Sequence, residues 1–188
     1  SKTQSCDQYN RRIKSTYASM DTIISVSEDA LNDFKSLYGV YNDMRVIYSP
    51  IGSGKVIAKS EQEPEILFNK SVINIIAVGR LMPIKGYDLL IEAAKILADK
   101  GINFQLYIVG IGPLKEDLMK MVDDLNLKSF VHITGFINNV YSCIAHADIY
   151  TMTSRSEGLP TALCEAMILG KPVVVTNVDG CKEVVEHG

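Results

Sequence analysis

Two glutamates separated by a glycine and a proline are the residues of this chain whose spacing first suggests chemistry. Glu157 and Glu165 lie eight positions apart, with Gly158 and Pro160 between them. Because proline fits the first position of a helix, Glu157 is expected on a loop and Glu165 in the second helical turn. A helix start presents N–H groups and the positive end of the helix dipole, which together bind phosphate oxygens. The candidate phosphate-binding amides are those near Gly158, Leu159, Thr161 and Ala162.

Two basic residues, Arg80 and Lys85, follow the apolar run from Ile73 to Val78. Such a run predicts a buried strand, and doubly wound sheets bind ligands at the carboxyl ends of their strands. Arginine offers a bidentate fork and lysine a movable point charge, a pair that suits a diphosphate. Taken alone, the pair is equally compatible with two solvated loop cations.

Two other glycine-bearing stretches resemble phosphate loops only weakly. In the first, Gly54 precedes Lys55, but Ser49 and Val56 stand where a Walker A loop needs a glycine and a hydroxyl residue. In the second, the stretch Gly110-Ile111-Gly112 follows a predicted strand, but it lacks the third glycine of a dinucleotide-binding loop. Neither stretch predicts a nucleotide site by itself.

The elements that would position these residues alternate from about Val72 onward. Strand-length apolar runs alternate with helical patterns, which predicts parallel strands joined by crossover helices. The fold class is therefore α/β, with a doubly wound, Rossmann-like parallel sheet. The predicted strands are Ile73 to Val78, Phe104 to Val109, Val131 to Thr134, Ile149 to Thr153 and Val173 to Thr176; the predicted helices are Tyr87 to Asp99, Leu114 to Leu125, Val140 to Ala145 and Thr161 to Leu169.

The first 70 residues do not follow this alternation and indicate the tail of a second α/β domain with a linker. We assign residues 1–52 to that tail and linker, and residues 53–188 to the Rossmann-like domain, which we expect to stop before a sixth strand. The predicted elements of the tail are helices from Asp7 to Met20 and from an N-cap at Ser27 to about Gly39, strands from Asp21 to Val26 and Arg45 to Tyr48, and a turn-rich stretch from Ser49 to Pro64.

The composition narrows the classes of function. The 188 residues are 47% hydrophobic and 22% charged, with a net charge of −3. A slightly acidic chain with scattered cations lacks the electrostatic footprint of a nucleic-acid-binding protein, so we expect no nucleic-acid partner. No apolar run approaches the roughly 20 residues that span a bilayer, and the first residues have no apolar signal region.

The cysteines and histidines give no metal-binding pattern. The four cysteines contain no CxxC pair, and the three histidines are isolated. We therefore predict no structural metal, and reduced thiols in a cytosolic protein. These residues are Cys6, Cys143, Cys164, Cys181, His132, His146 and His187.

Taken in order, the motifs resemble the signature of family 4 retaining glycosyltransferases (glycosyl transferases group 1) of the GT-B fold. The resemblance covers residues 72 to 188. It rests on Glu157-x7-Glu165 with the following Gly170-Lys171-Pro172, the Gly79-Arg80-Leu81 to Lys85-Gly86 loop, the Gly110-Ile111-Gly112-Pro113 turn, and Asp179-Gly180, where many members carry two glycines. In that family two Rossmann-like domains face each other across a cleft, and the C-terminal one holds the nucleotide sugar.

The resemblance implies a role for each candidate residue. Arg80 and Lys85 would bind the donor diphosphate, and Glu165 would accept hydrogen bonds from the ribose diol. Glu157 would be the catalytic residue, in contact with the donor sugar near the reacting centre. The remaining groups would be the phosphate-binding amides of Gly158, Leu159, Thr161 and Ala162, and the backbone at Ile137, which would meet the base.

The implied activity is that of a hexosyltransferase, which moves a sugar from a UDP- or GDP-sugar to an acceptor with retention of configuration. The resemblance implies no metal and no other cofactor. The chain would carry the donor-binding half and be inactive alone. A glycan or lipid-linked acceptor would bind the N-terminal domain of a cytoplasmic enzyme, which could contact the membrane peripherally. The alternatives are an epimerase or hydrolase of the same fold, a nucleotide-sugar-binding module without catalysis, and a Rossmann oxidoreductase.

Overall fold

The computed structural model describes residues 12–41 and 43–186. By their contacts these residues form two compact units. The first unit takes in the described residues up to Pro50, the short segment Glu157–Leu159 and those from Asp179 onward, and the second takes in Ile51–Ser156 and Pro160–Val178. Cys6, His187 and the first residues of the helix predicted from Asp7 lie outside the described ranges, and residues 12–18 are helical.

Besides the helical residues 12–18, the described part of the chain contains seven strands and six helices. The strands are β1 (Ile23–Ser25), β2 (Met44–Val46), β3 (Ile73–Val78), β4 (Phe104–Val109), β5 (Val131–Gly135), β6 (Ile149–Met152) and β7 (Val173–Val175). The helices are α1 (Glu28–Tyr38), α2 (Ser53–Ser60), α3 (Tyr87–Asp99), α4 (Lys115–Asp124), α5 (Val140–His146) and α6 (Thr161–Ile168). A 3₁₀ turn covers Pro83–Lys85. None of the helices in the part of the chain described here is long and apolar enough to cross a bilayer.

The second unit is built on a five-stranded parallel sheet in the order β5-β4-β3-β6-β7. Strands β3 and β4 pair along their whole length, from Ile73 opposite Phe104 to Val78 opposite Val109. Since the order reverses at β3, which pairs with both β4 and β6, the sheet is doubly wound. The predicted fold class is confirmed.

Burial on both faces explains why the central strands read as uninterrupted apolar runs. In β4 five of the six residues are buried, and Ile76 of β3 and Ile108 of β4 are fully so. Helix α3 contributes Leu90, Ile91 and Ala94 to the core cluster that contains Ile108. Their spacing places all three on one stripe of the helix, which packs on the sheet.

The stretch from Ser49 to Pro64, predicted to be rich in turns, contains helix α2. Gly52, Ser53 and Gly54 are poor helix formers, and their types favour turns. Tertiary contacts override that preference, because Val56 is 2% exposed and the helix packs against α5 and α6. The Asn139 side-chain amide donates to the Lys59 carbonyl, which satisfies one acceptor at the end of the helix.

The first unit contains a parallel pair, β1 and β2, with α1 against them. Ser27 caps α1 as the sequence predicts, and its Oγ accepts a hydrogen bond from the Ala30 N–H at 3.2 Å. A second cap comes from far along the chain. The carboxylate of Glu183 accepts from the N–H groups of Glu28 at 3.1 Å and Asp29 at 2.7 Å. Both strands are shorter than the predicted segments, which ran to Val26 and Tyr48.

Candidate active site

The candidate residues of the second unit follow the carboxyl ends of its strands. Arg80 and Lys85 come after β3, Ile137 comes after β5, and helix α6 comes after β6. Strands β3 and β6 are neighbours on either side of the point where the strand order reverses. Loops that leave such a pair in opposite directions open a crevice, which is where doubly wound sheets hold ligands. The topology therefore brings the basic loop and the start of α6 to the same edge of the sheet.

The basic loop runs from Gly79 to Gly86 and contains two successive turns. The N–H of Met82 donates to the Arg80 carbonyl at 2.8 Å, and the N–H of Lys85 donates to the Met82 carbonyl at 3.0 Å. The Arg80 side chain is exposed. The stem of Lys85 passes close to Gly79, since a Cβ added there would lie 3.7 Å from the Lys85 Cε. Lys85 thus folds back toward the start of the loop that carries Arg80.

The glycine-rich turn after β4 braces this loop. The N–H of Leu81 donates to the Ile111 carbonyl at 2.9 Å, and the N–H of Leu114 donates to the Leu81 carbonyl at 3.1 Å. A Cβ on Gly110 would lie 1.8 Å from the Gly79 carbonyl oxygen, so no other residue fits there without moving the backbone. Close packing of two loops accounts for the glycines that resemble a dinucleotide-binding motif.

Helix α6 begins at Thr161, the first residue of the predicted helix. Pro160 is the N-cap rather than the first helical residue, and its carbonyl accepts from the N–H groups of Leu163 and Cys164. Thr161 and Ala162 occupy the first helical turn, where N–H groups have no acceptor within the helix. Thr161 is exposed and Ala162 is partly exposed, so both positions are open to an anion.

Glu165 lies in the second turn of α6, as predicted, and it has a partner that sequence reasoning missed. The Tyr141 hydroxyl of α5 donates to Glu165 Oε1 at 3.1 Å. Burial raises the pKa of the Glu165 carboxyl, while the Tyr141 hydrogen bond and the charge of Lys55 act to lower it. Burial and the Glu165 charge raise the pKa of Tyr141, which keeps its hydroxyl a donor at neutral pH. Nothing in the sequence around Tyr141 or Lys55 signals this arrangement.

Ile137 is buried just beyond the end of β5. It lines a cavity of about 620 Å³ together with Tyr107 and Phe136. Phe136 is 69% exposed, so the cavity has an aromatic rim. A flat ring that stacks on such a rim gains contact area and a favourable π interaction.

Glu157, Gly158 and Leu159 group with the first unit by their contacts. A Cβ on Gly158 would lie 3.3 Å from Val26 Cγ2. Gly180 packs still closer, since a Cβ there would lie 2.3 Å from the Gly158 carbonyl oxygen and 2.7 Å from that of Glu157. The Gly180 N–H donates to Asp29 Oδ2 at 3.1 Å, which fixes this glycine against α1. The role of Asp29 has no signal in the sequence.

A family model settles the relationship of this chain to known proteins. The model described as Glycosyl transferases group 1 matches residues 58–188. The chain belongs to this family.

Curated relatives of this chain include two named glycosyltransferases. The 2-deoxystreptamine N-acetyl-D-glucosaminyltransferase of Niallia circulans is 30% identical over 173 residues, which cover 88% of this chain and 44% of the relative. The alpha-D-kanosaminyltransferase of Streptomyces kanamyceticus is 34% identical over 116 residues, or 61% of this chain and 30% of the relative. The chain spans between about a third and a half of the length of these relatives.

Crystal structures of glycosyltransferases share the fold. HepE from Anabaena, in complex with UDP and glucose, matches 95% of this chain and 51% of its own length, with a TM-score of 0.79 and 23% identity. TarM, solved from S. aureus as a mutant in complex with UDP and other ligands, matches 96% of this chain and 35% of its own, with a TM-score of 0.78 and 23% identity. The chain therefore has the GT-B type of α/β fold that the sequence predicts.

Proposed function

We propose that this chain is the donor-binding part of a retaining glycosyltransferase that uses a nucleoside diphosphate sugar. The observation that carries the proposal is the position of two cations and an open helix start after β3 and β6, the strands that flank the reversal of strand order. Membership of the glycosyl transferases group 1 family supports the same reaction class. The acceptor would bind outside the donor site, in the N-terminal domain of the protein.

The proposed reaction needs groups that stabilise negative charge, and the basic loop and the start of α6 can supply them. Cleavage of the sugar–phosphate bond builds negative charge on the departing nucleoside diphosphate. Fixed cations and N–H groups aimed at that charge stabilise the transition state without reorganising. In the proposal Arg80 and Lys85 hold the diphosphate, and the amides of Thr161 and Ala162 receive phosphate oxygens. Two cations and a helix start neutralise the leaving group, so the proposal requires no metal.

The remaining residues take the roles that the family resemblance implies. Glu165 accepts hydrogen bonds from the ribose diol, and the backbone at Ile137 meets the base. Glu157 contacts the donor sugar near the reacting carbon, and the amides of Gly158 and Leu159 complete the phosphate contacts. Retention follows when the acceptor attacks from the face that the phosphate leaves, with a phosphate oxygen taking the acceptor proton.

UDP is the first nucleotide to test, because HepE and TarM were solved with it. GDP and ADP are the alternatives. For the acceptor we propose a glycan or a lipid-linked glycan. The relatives include putative colanic acid biosynthesis glycosyltransferases, and TarM was solved with alpha-GlcNAc-glycerol. An enzyme of this kind would act in the cytoplasm, at the membrane face when its acceptor is a lipid.

Titration calorimetry of the protein with UDP, GDP and ADP in the presence of EDTA tests the donor site. We expect one nucleotide to bind without metal. Arg80→Ala and Glu165→Ala should each weaken that binding by about 1–3 kcal/mol, because each removes a charge-assisted hydrogen bond. Lys120→Ala is the matched control, since Lys120 is an exposed lysine on α4, away from the basic loop in sequence.

Two outcomes would count against the donor site, and a third would count against catalysis. Binding of none of the three nucleotides by the folded full-length protein would reject it. Equal losses of affinity in Lys120→Ala and Arg80→Ala would show that Arg80 acts only through the net charge of the protein. Binding of nucleotide with no turnover in the presence of any acceptor would favour a nucleotide-sugar-binding module without catalysis.

Tyr141→Phe should shift the pH range over which the nucleotide binds. The Tyr141 hydrogen bond lowers the pKa of Glu165, so its removal raises that pKa. Binding that needs the ionised carboxylate is lost as pH falls through the pKa, and this loss should therefore occur at higher pH in the variant. At neutral pH the affinity should fall by at most about tenfold, the upper range for one hydrogen bond, because the lost bond orients Glu165 and is not itself a contact to the nucleotide. Calorimetry with UDP across acidic and neutral pH measures both effects.

Tyr41→Phe provides the control for the loss of a tyrosine hydroxyl. The Tyr41 hydroxyl donates to the Tyr38 carbonyl in the first unit, at 3.2 Å. Its removal should leave the pH profile unchanged. A Tyr141→Phe protein with the profile of the wild type would show that Tyr141 does not influence Glu165.

A further inference from the structure

The turn that carries Lys85 is held by one short segment after β6. Two of its carbonyl groups, and the carbonyl of Gly86 directly after it, accept hydrogen bonds from that segment. The N–H of Arg155 donates to the Ile84 carbonyl at 2.7 Å, and Arg155 Nη1 donates to the Pro83 carbonyl at 2.9 Å. The Thr153 hydroxyl donates to the Gly86 carbonyl at 2.9 Å. Lys85 therefore stands on a turn whose backbone is fixed on both sides of it.

Arg155 is itself oriented by a two-pronged ion pair. Its Nη1 and Nη2 donate to the two carboxylate oxygens of Asp88, at 2.8 Å and 2.5 Å. Asp88 lies in the first turn of α3, immediately beyond Gly86 and Tyr87. The Arg155 hydrogen bond lowers the pKa of Asp88, so the pair stays ionised well into the acidic range. Because guanidinium and carboxylate are both planar, this geometry fixes the direction of the arginine side chain.

The ion pair of Arg155 and Asp88 contributes little to the stability of the fold as a whole. The side chains of Arg155 and Asp88 are 43% and 45% exposed, and ion pairs of that exposure contribute little to the free energy of unfolding. The guanidinium has used its Nη atoms on Asp88 and on the Pro83 carbonyl. Its contacts are thus directed at the turn rather than at the crevice.

We propose that Arg155 is a positioning residue that sets the placement of Lys85 toward the donor diphosphate. The proposal rests on the proposed function, in which Lys85 binds that diphosphate. Arg155 acts by holding the Pro83–Lys85 turn, and Asp88 acts by orienting Arg155. Misplacement of a group by about 1 Å costs up to about 10²-fold in reaction rate, and for UDP binding we expect a smaller loss, about tenfold, from Arg155→Met.

A double-mutant cycle in the full-length protein tests this route, with UDP affinity from calorimetry as the readout. Arg155→Met should weaken binding in the wild-type background and have almost no further effect when Lys85 is already methionine, since residues that act through one another are not additive. Arg155→Lys should recover part of the affinity, because lysine can reach one acceptor but lacks the fork. The thermal midpoint should stay close to that of the wild type in every variant.

Arg45→Met is the matched control, because Arg45 also pairs with an aspartate, Asp43, at 2.8 Å on an exposed surface. It should leave UDP binding unchanged. If Lys85→Met weakens binding while Arg155→Met does not, the positioning role is wrong and the donor site stands. If Arg155→Met weakens binding equally in both backgrounds, Arg155 does not act through Lys85. If Lys85→Met binds UDP like the wild type, the proposed diphosphate site itself fails.

Discussion

Lys85→Met is expected to lower kcat/KM for the nucleotide sugar by about 10²–10³-fold in the full-length enzyme, the usual cost of removing one group that stabilises developing charge. In the proposed reaction the charge on the diphosphate grows as the sugar departs, so Lys85 contributes more in the transition state than in the bound donor. The loss should therefore fall mainly on kcat. Initial rates of UDP release from the donor sugar, with the acceptor present, measure it.

Two further substitutions separate the role of Lys85 from an effect of net charge. Lys120→Met removes an exposed lysine from α4 and should leave kcat/KM unchanged. Lys85→Arg keeps the charge but changes its shape and reach, and should give an intermediate rate. A Lys85→Met enzyme with the kcat of the wild type would remove Lys85 from the chemistry.

Gly86→Ala is expected to lower the free energy of unfolding by about 2–5 kcal/mol. Gly86 has a φ of +62°, a region that costs other residues about 1–2 kcal/mol. The added Cβ would also lie 2.1 Å from the Thr153 carbonyl oxygen, and relief of such crowding costs about 1–3 kcal/mol. Urea unfolding of the two proteins measures the difference.

Gly101→Ala separates the two causes, since it has nearly the same backbone angle without the crowding. Gly101 has a φ of +70°, and a Cβ there would meet no atom within 4 Å. Only the conformational cost of about 1–2 kcal/mol should remain. Equal losses in the two variants would mean that the contact with Thr153 yields freely, and the turn that carries Lys85 would then be less rigid than its hydrogen bonds indicate.

The central elements were predictable because consecutive apolar residues in the sequence indicate their burial. Strands β3 and β4 and helix α3 begin and end at the predicted residues. The two strands are covered on both faces, which leaves unbroken apolar runs that are easy to recognise. Gly86 directly precedes α3 and Gly101 follows it. Both have a positive φ, which glycine adopts easily and which interrupts regular structure.

Helix α2 could not be predicted in the same way. Its first residues favour turns, and the signal that overrides them is the burial of Val56 among helices far along the chain. The acceptor at its end is satisfied by Asn139, which is 80 positions away from Lys59. Propensity is local, and contacts at such separations leave no trace in a single sequence.

In the candidate site, too, some residues could be predicted from the sequence and others could not. Charged residues and helix starts at the ends of strands can be recognised from type and position, so Arg80, Lys85 and Glu165 were predicted, although their roles remain predictions. Their supporting groups could not be found, because Tyr141 lies 24 positions from Glu165 and Arg155 lies 67 positions from Asp88. Only the parallel order of the strands brings these pairs together.

The cap that Glu183 places on α1 has a consequence for the order in which the chain folds. Its hydrogen bonds to the N–H groups of Glu28 and Asp29 join residues 155 and 154 positions apart. Contacts at such separations carry a large loop-closure entropy and form late. During synthesis α1 leaves the ribosome long before Glu183 does. Until then only Ser27 and water can accept hydrogen bonds from the N–H groups of its first turn. The first unit therefore reaches its native form only after the polypeptide of the second has been made.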